Sequence, residues 1–178
     1  MKVRNMARCA LLASLMCICA WISFPLGDIS ITLQTFALFL TLGLLGGKLG
    51  SLVCLLYLIL GAVGLPVFSG FRGGLGTLLG TSGGYILGFF ATALIYWLIT
   101  SLFGNGLPAR LAAAFLGLLV CYGFGTAWYY YFYLNTGSLL SFGLIVVKCV
   151  IPFILPDLLK LAAALALSEK LKKFILPS

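Results

Sequence analysis

An all-α integral membrane protein, a bundle of about six transmembrane helices with a glycine-rich outer loop between the third and fourth, is the fold this sequence predicts. Three observations predict it. The chain is 63% hydrophobic and 8% charged over 178 residues, whereas a soluble domain carries roughly 25% charged residues. Its mean hydropathy is +1.22, concentrated in apolar runs whose lengths approach the ~20 residues that cross a bilayer core as a helix. Most Lys and Arg residues fall between those runs, on alternate sides. A chain of this length is one domain, 1–178, with no room for a second.

The first span, 6–24, follows Lys2, Arg4 and Arg8, which is also how a signal peptide begins. No small-residue cleavage pattern precedes Pro25, so it is read as a retained helix. The second span, 31–46, is short, and the third, 49–64, carries Gly61 and Gly64 at its end, so these spans are expected to tilt or to sit in a locally thinned bilayer. The fourth, fifth and sixth spans cover 83–103, 108–134 and 152–172. Between the third and fourth runs the segment LPVFSGFRGGLGTLLGTS, 65–82, too apolar for a solvated linker and rich in glycine. Irregular backbone at membrane depth must be buried in protein or line a cavity, so this segment is expected to fold back onto the bundle. Residues 139–150, between Asn135-Thr136-Gly137 and Pro152, read as a short interfacial helix with Lys148 at the headgroups.

Counting Lys and Arg fixes the expected orientation. One side collects Lys2, Arg4, Arg8, Lys48, Arg110, Lys170, Lys172 and Lys173, and the other has Arg72 and Lys148. Both termini are therefore predicted to be cytoplasmic, in a multi-pass cell-membrane protein whose glycine-rich loop, Asp28 and Asn135–Gly137 turn face outward.

Composition narrows the function. Eleven Lys and Arg against three Asp and Glu suggest nucleic acid, but the cations are scattered among apolar runs without exposed stacking aromatics, so the bilayer is the expected partner. Six cysteines lie mostly within apolar runs and lack metal-site spacing; they read as small buried hydrophobes. There is no histidine, which removes the commonest metal ligand and general base. No metal site, cofactor or catalytic residue is expected. Gly46-Gly47-Lys48 lacks the rest of a phosphate-binding loop, so any ATPase driving transport is another protein.

The last span reads IPFILPDLLKLAAALAL. Its Asp157 and Lys160, at i and i+3, share one helix face. A charge within a span costs at least a few kcal/mol, so such residues normally face the bundle interior and act there; the simpler alternative is a salt bridge that locks the helix. Pro152 and Pro156 free backbone carbonyls beside Asp157. Arg72, the charge of the glycine-rich loop, suits an anionic group, or is a solvated interface arginine. Gly83, Gly84 and Tyr85 open the fourth helix, where free N–H groups favour an anion or carbonyl oxygen. Gln34 in ITLQT either contacts a ligand or bonds a neighbouring helix. The run from Trp128 to Tyr133 reads as an interfacial aromatic belt. On the first helix Ala10 and Ser14, with Ala7, Ala13 and Ala20, allow close approach of another helix.

ITLQT, LGAVGLPVFSGFRGGLG, LLGTSGGYILGF and PFILPDLLK, in this order and spacing over nearly the whole chain, resemble the BioY family, the biotin-binding S components of energy-coupling factor transporters. The resemblance implies a six-helix subunit without catalysis of its own. It would bind biotin from outside at high affinity, dock on a transmembrane coupling subunit with two cytoplasmic ATPases, and topple to release its cargo. By the same resemblance Asp157 and Lys160 contact the vitamin, Arg72, Gly83, Gly84 and Tyr85 line its pocket, and Ala10 and Ser14 stand where the family carries an A-x-x-x-A patch facing the coupling subunit. Biotin matches these groups: Asp157 can accept from a ureido N–H, Lys160 or Arg72 can take the carboxylate or the carbonyl, and Phe68, Phe71 and Tyr85 can pack the apolar body. The rival functions are an S component for another small vitamin, a membrane-embedded enzyme and an assembly subunit. An enzyme would have to find its acid and base among Asp157, Asp28 and tyrosine hydroxyls.

Overall fold

The computed structural model describes residues 3–26, 29–135 and 141–175. Asp28, Thr136 and Gly137, and the cation Lys2, lie outside the described residues. The order of elements is α1 (Val3–Trp21), β1 (Ser23–Leu26), β2 (Ile29–Thr32), α2 (Gln34–Ala62), a 3-10 turn (Ser69–Phe71), α3 (Leu75–Leu78), α4 (Gly83–Phe103), α5 (Leu107–Asn135), α6 (Phe142–Cys149) and α7 (Ile151–Ile175).

The first departure from the sequence expectation is a β-hairpin. β1 and β2 pair antiparallel, Ser23 opposite Thr32 and Leu26 opposite Ile29, so α1 ends at Trp21 rather than residue 24, and the next helix begins at Gln34 rather than 31. The β-branched residues of Ile29–Thr32 suit a strand, and pairing satisfies the backbone polar groups of a segment leaving a helix. Thr32 Oγ1 then accepts from the Gln34 backbone N–H at 3.3 Å, starting α2.

Gly46 breaks α2. Its backbone sits at φ 75°, ψ 176°, a conformation open to glycine and costly for other L-residues. Beyond it the chain turns back: Gln34 Nε2 donates to Tyr57 Oη across 23 residues of sequence, a separation of about 34 Å in a straight helix. The arms 34–45 and 47–62 therefore run antiparallel, with Gly50 in contact distance of Leu42. The 34–45 arm is only about 18 Å long, and the β-hairpin extends it at one end.

Around this double arm, α4 packs on α5 and on α2, α7 packs on α2, and α1 lies against α2. Small residues allow the α4–α5 approach: Gly117 faces Thr92, whose hydroxyl donates to Gly117 O at 2.8 Å and Gly88 O at 2.9 Å, a pattern typical of apposed membrane helices. Met16, Leu38, Phe39, Val53, Tyr57 and Tyr96 are buried between these helices, while Leu11, Leu98, Leu116 and Leu159 point outward, as a lipid-facing surface requires. Five described helical stretches are long and apolar enough to cross a membrane, the last combining α6 and α7.

The bundle has two unlike ends. The β-hairpin, the glycine-rich segment and the first turns of α2, α4 and α7 form one. The start of α1, the Gly46 hinge, the α4–α5 turn and the end of α7 form the other, and they carry Arg4, Arg8, Lys48, Lys170 and Lys172.

Candidate substrate-binding site

Several elements converge at the hairpin end on a cavity of about 260 Å³. β1 and β2 contribute Ser23 and Ser30; α2 contributes Gln34 and Thr35; α4 contributes Tyr85 and Phe89; α5 contributes Cys121 and Tyr122; α7 contributes Phe153, Asp157 and Lys160. The glycine-rich segment closes it with Phe68, Ser69, Gly70 and Arg72. Its walls are mostly apolar with a few convergent polar groups, as in small-molecule sites generally.

The polar centre is Asp157, 5% exposed. Its Oδ1 accepts from Lys160 Nζ at 2.9 Å and Thr35 Oγ1 at 3.0 Å, and its Oδ2 from Tyr122 Oη at 2.8 Å. A buried carboxylate is tolerable with that many donors and strongly unfavourable without them. The two residues share a face of α7 because i and i+3 lie one turn apart, and Pro156, inside the helix, removes a backbone donor just before Asp157. Lys160 retains two further donors for the cavity.

Gln34 is held on both sides. Tyr57 Oη gives its hydrogen to Val67 O at 2.9 Å, so it must accept from Gln34 Nε2, which leaves Gln34 Oε1 to accept from Thr32 Oγ1 at 3.1 Å. This relay also ties the glycine-rich segment to α2, because Val67 belongs to that segment. Phe68 lies over the bare face of Gly61 and is 1% exposed. Its N–H donates to Arg72 O at 2.9 Å, folding the turn so that Arg72 reaches the cavity while remaining exposed. Tyr85 Oη is within 3.1 Å of Thr126 Oγ1 and 3.5 Å of Cys149 O.

Three residues expected in the pocket are elsewhere. Phe71 points away, 64% exposed, with its ring stacked on Trp21 at 5.0 Å. Gly83 packs against the Leu78 carbonyl and Gly84 against Trp128, where a Cβ would clash. These glycines fix how α4 starts and meets α5, and neither lines the cavity. The aromatic run is divided similarly: Tyr131 is outward, Trp128 Nε1 donates to Gly80 O at 3.0 Å, and Tyr129 is buried against Tyr133. Ala10 and Ser14 are both exposed on α1, whereas Ala13 and Ala20 are buried.

Tyr122 and Thr35 were not singled out from sequence. A mid-span tyrosine needs a partner for its hydroxyl, which was the available signal, but the partner is on another helix. Arg110, counted as a surface cation, is 2% exposed. At the end opposite the cavity it donates to Tyr96 Oη (3.1 Å), Ser168 Oγ (2.9 Å), Gly43 O (3.2 Å) and the Glu169 carboxylate. Among the described residues no cluster of His, Cys, Asp and Glu could hold a metal ion.

A helical membrane bundle with a mostly apolar cavity and a buried carboxylate–ammonium pair in its wall has the chemistry suited to a small amphiphilic solute. The chain belongs to the BioY family, whose sequence profile matches residues 1–176. It is 38% identical over 172 residues to the probable biotin transporter BioY of Pyrococcus horikoshii, covering 97% of this chain and 98% of that one. It is 34% identical over 171 residues to the biotin transporter BioY of Thermotoga maritima, covering 96% and 97%. Its fold is similar to the S-component for biotin from an ECF-type ABC transporter, with a TM-score of 0.83 at 24% identity over 97% of this chain and 92% of that one. The S component of a bacterial ECF transporter is more distant, with a TM-score of 0.63 at 14% identity and 99% of each chain covered.

Proposed function

We propose that this chain is the high-affinity biotin-capture subunit of an ECF-type vitamin transporter, binding the vitamin without chemically changing it. The observation that carries the reading is the Asp157–Lys160 pair facing a mostly apolar cavity, 2.9 Å between the charged groups. A cyclic urea needs an acceptor and a donor side by side, which these two supply. A carboxylate placed there would meet Asp157, so the ureido ring goes to this end and the valerate carboxylate to Arg72 at the glycine-rich segment. Phe68, Tyr85 and Phe153 pack the body between them, and Gln34 adds an N–H from its amide. The family and the names of its relatives support biotin over a cationic vitamin.

The same reading makes the cavity end extracellular and the cationic end cytoplasmic, with both termini inside, six passes with the arms of α2 counted separately, and the exposed Ala10 and Ser14 on the face meeting a transmembrane coupling subunit and, through it, two ATPases. Isothermal titration of the purified chain tests the site. Asp157→Asn and Lys160→Ala should each weaken biotin by at least about thirtyfold, or ~2 kcal/mol, and wild-type affinity in folded Asp157→Asn and Lys160→Ala would show that the pair is structural only.

A further inference from the structure

The lining of the cavity passes from buried to exposed along its length. At the end that holds the charged pair the wall is buried, with Thr35, Cys121, Phe153 and Asp157 all withdrawn from the surface. The lining residues that are exposed are Pro25 of the hairpin and Gly70 and Arg72 of the glycine-rich segment. The same two elements bring Ser23, Ser30 and Ser69 to the lining, each half-buried, with hydroxyls that can donate or accept. The cavity thus has a closed, charged end and an open, hydroxyl-bearing mouth. The charge at that mouth is an arginine already in water, so a ligand group that does not pair with it leaves no buried charge behind.

From this we infer that the pocket is strict at the ring and permissive at the carboxyl group, so that the chain also captures biotinyl amides, in which the carboxyl of biotin is joined to an amine. The inference rests on the biotin reading, which puts the ureido ring at the closed end and the valerate carboxylate at the mouth. An exposed ion pair contributes little, because water competes for both partners. With an amide in that place Arg72 stays hydrated, the amide oxygen can still accept from it, and the amide N–H can donate to a rim hydroxyl. Atoms beyond the amide run out between the hairpin and the glycine-rich segment and displace no wall. At the closed end the same kind of change is severe. A methyl group added to a ureido nitrogen has to push aside packed, buried side chains, and it removes the hydrogen that a buried acceptor needs. The substrate class is then set by the bicyclic ring, and the free carboxylate is dispensable.

The test is a ligand series on the purified full chain, read by isothermal titration: biotin, biotinamide, biotin amide-linked to a neutral hydrophilic spacer, and biotin methylated on a ureido nitrogen. Both amides should bind within about tenfold of biotin, and the N-methyl compound more than about tenfold weaker. Either amide binding more than about tenfold weaker than biotin would show that the free carboxylate is required and overturn the inference. An N-methyl compound within about tenfold of biotin would put the ring somewhere other than the closed end and overturn it as well. Arg72→Gln should bring biotin down to the affinity of biotinamide and change biotinamide by less than about threefold, because the contact it removes is one the amide lacks. Equal losses for the two ligands would take the carboxylate away from Arg72, and the inference with it. Should Arg72→Gln not fold, the wild-type series decides alone. A wild type that binds neither biotin nor its amides removes the biotin reading itself, whereas biotin bound with both amides rejected removes only the tolerance at the mouth.

Discussion

Arg110 and Asp157 are two solutions to one problem, a full charge inside an apolar bundle. Each is buried and each is surrounded by several partners. They differ in what is left over. Arg110 has its partners on α2, α4 and α7 and lies far from the cavity, so its role is to tie helices together; Asp157 and Lys160 keep capacity directed into the cavity. Arg110→Met should therefore lower the thermal unfolding midpoint substantially, because buried groups such as Gly43 O lose their donor at about 1–3 kcal/mol for each one left unpaired, while the protein that folds keeps its biotin affinity. Glu169→Gln should cost less, because that side chain is 47% exposed and its amide oxygen can still accept from Arg110. A thermal-shift series on the purified variants with and without biotin separates the two effects. Asp157 and Lys160 were legible in the sequence because a charge pair at i and i+3 within an apolar run stands out in one dimension. Arg110 was not. Its position three residues into α5 looks like a loop cation, and its acid lies 59 residues away.

Among the elements, the helices could be read from apolar length, whereas of the two devices that shape the cavity the hairpin could not be read and the glycine-rich segment only in outline. The β-hairpin of Ser23–Leu26 and Ile29–Thr32 is too short for its alternation to compete with the hydrophobic runs on both sides. The fold-back of 65–82 was legible as a consequence of greasy, glycine-rich composition, yet composition gave no hint that Phe68 turns in and Phe71 out. The latch on that segment is also structural: Trp21 stacks on Phe71 and donates from Nε1 to Pro66 O at 2.8 Å. Trp21→Ala removes one aromatic contact and one hydrogen bond, each worth about 1 kcal/mol. Stopped-flow release of biotin should be several-fold faster in Trp21→Ala, with the unfolding midpoint lowered by the equivalent of about 2 kcal/mol; unaltered release would mean that the segment is held by Phe68 and Tyr57 alone. At the Gly46 hinge, a Cβ meets nothing within 4 Å, so Gly46→Ala carries only backbone strain, about 1–3 kcal/mol. Gly47→Ala drives a methyl into the Trp97 backbone and should be the more damaging of the two in the same unfolding assay.

For the molecule as a whole, the arrangement separates binding from the exposed helix face. The cavity, the hairpin and the glycine-rich segment occupy one end, the cations and the Arg110 hub the other, and α1 runs between them with Ala10 and Ser14 exposed. On the proposed orientation, protease added outside intact cells should spare tags at both termini, and cleavage of either tag would invert the topology. The assignment to biotin itself is tested by purifying the chain from cells grown with a mixture of vitamins and identifying by mass spectrometry what it retains. Unmodified biotin, near one per chain, is the expected result. Recovery of a different vitamin, of a chemically altered biotin, or of no small molecule together with no biotin-induced rise in the unfolding midpoint, would contradict it.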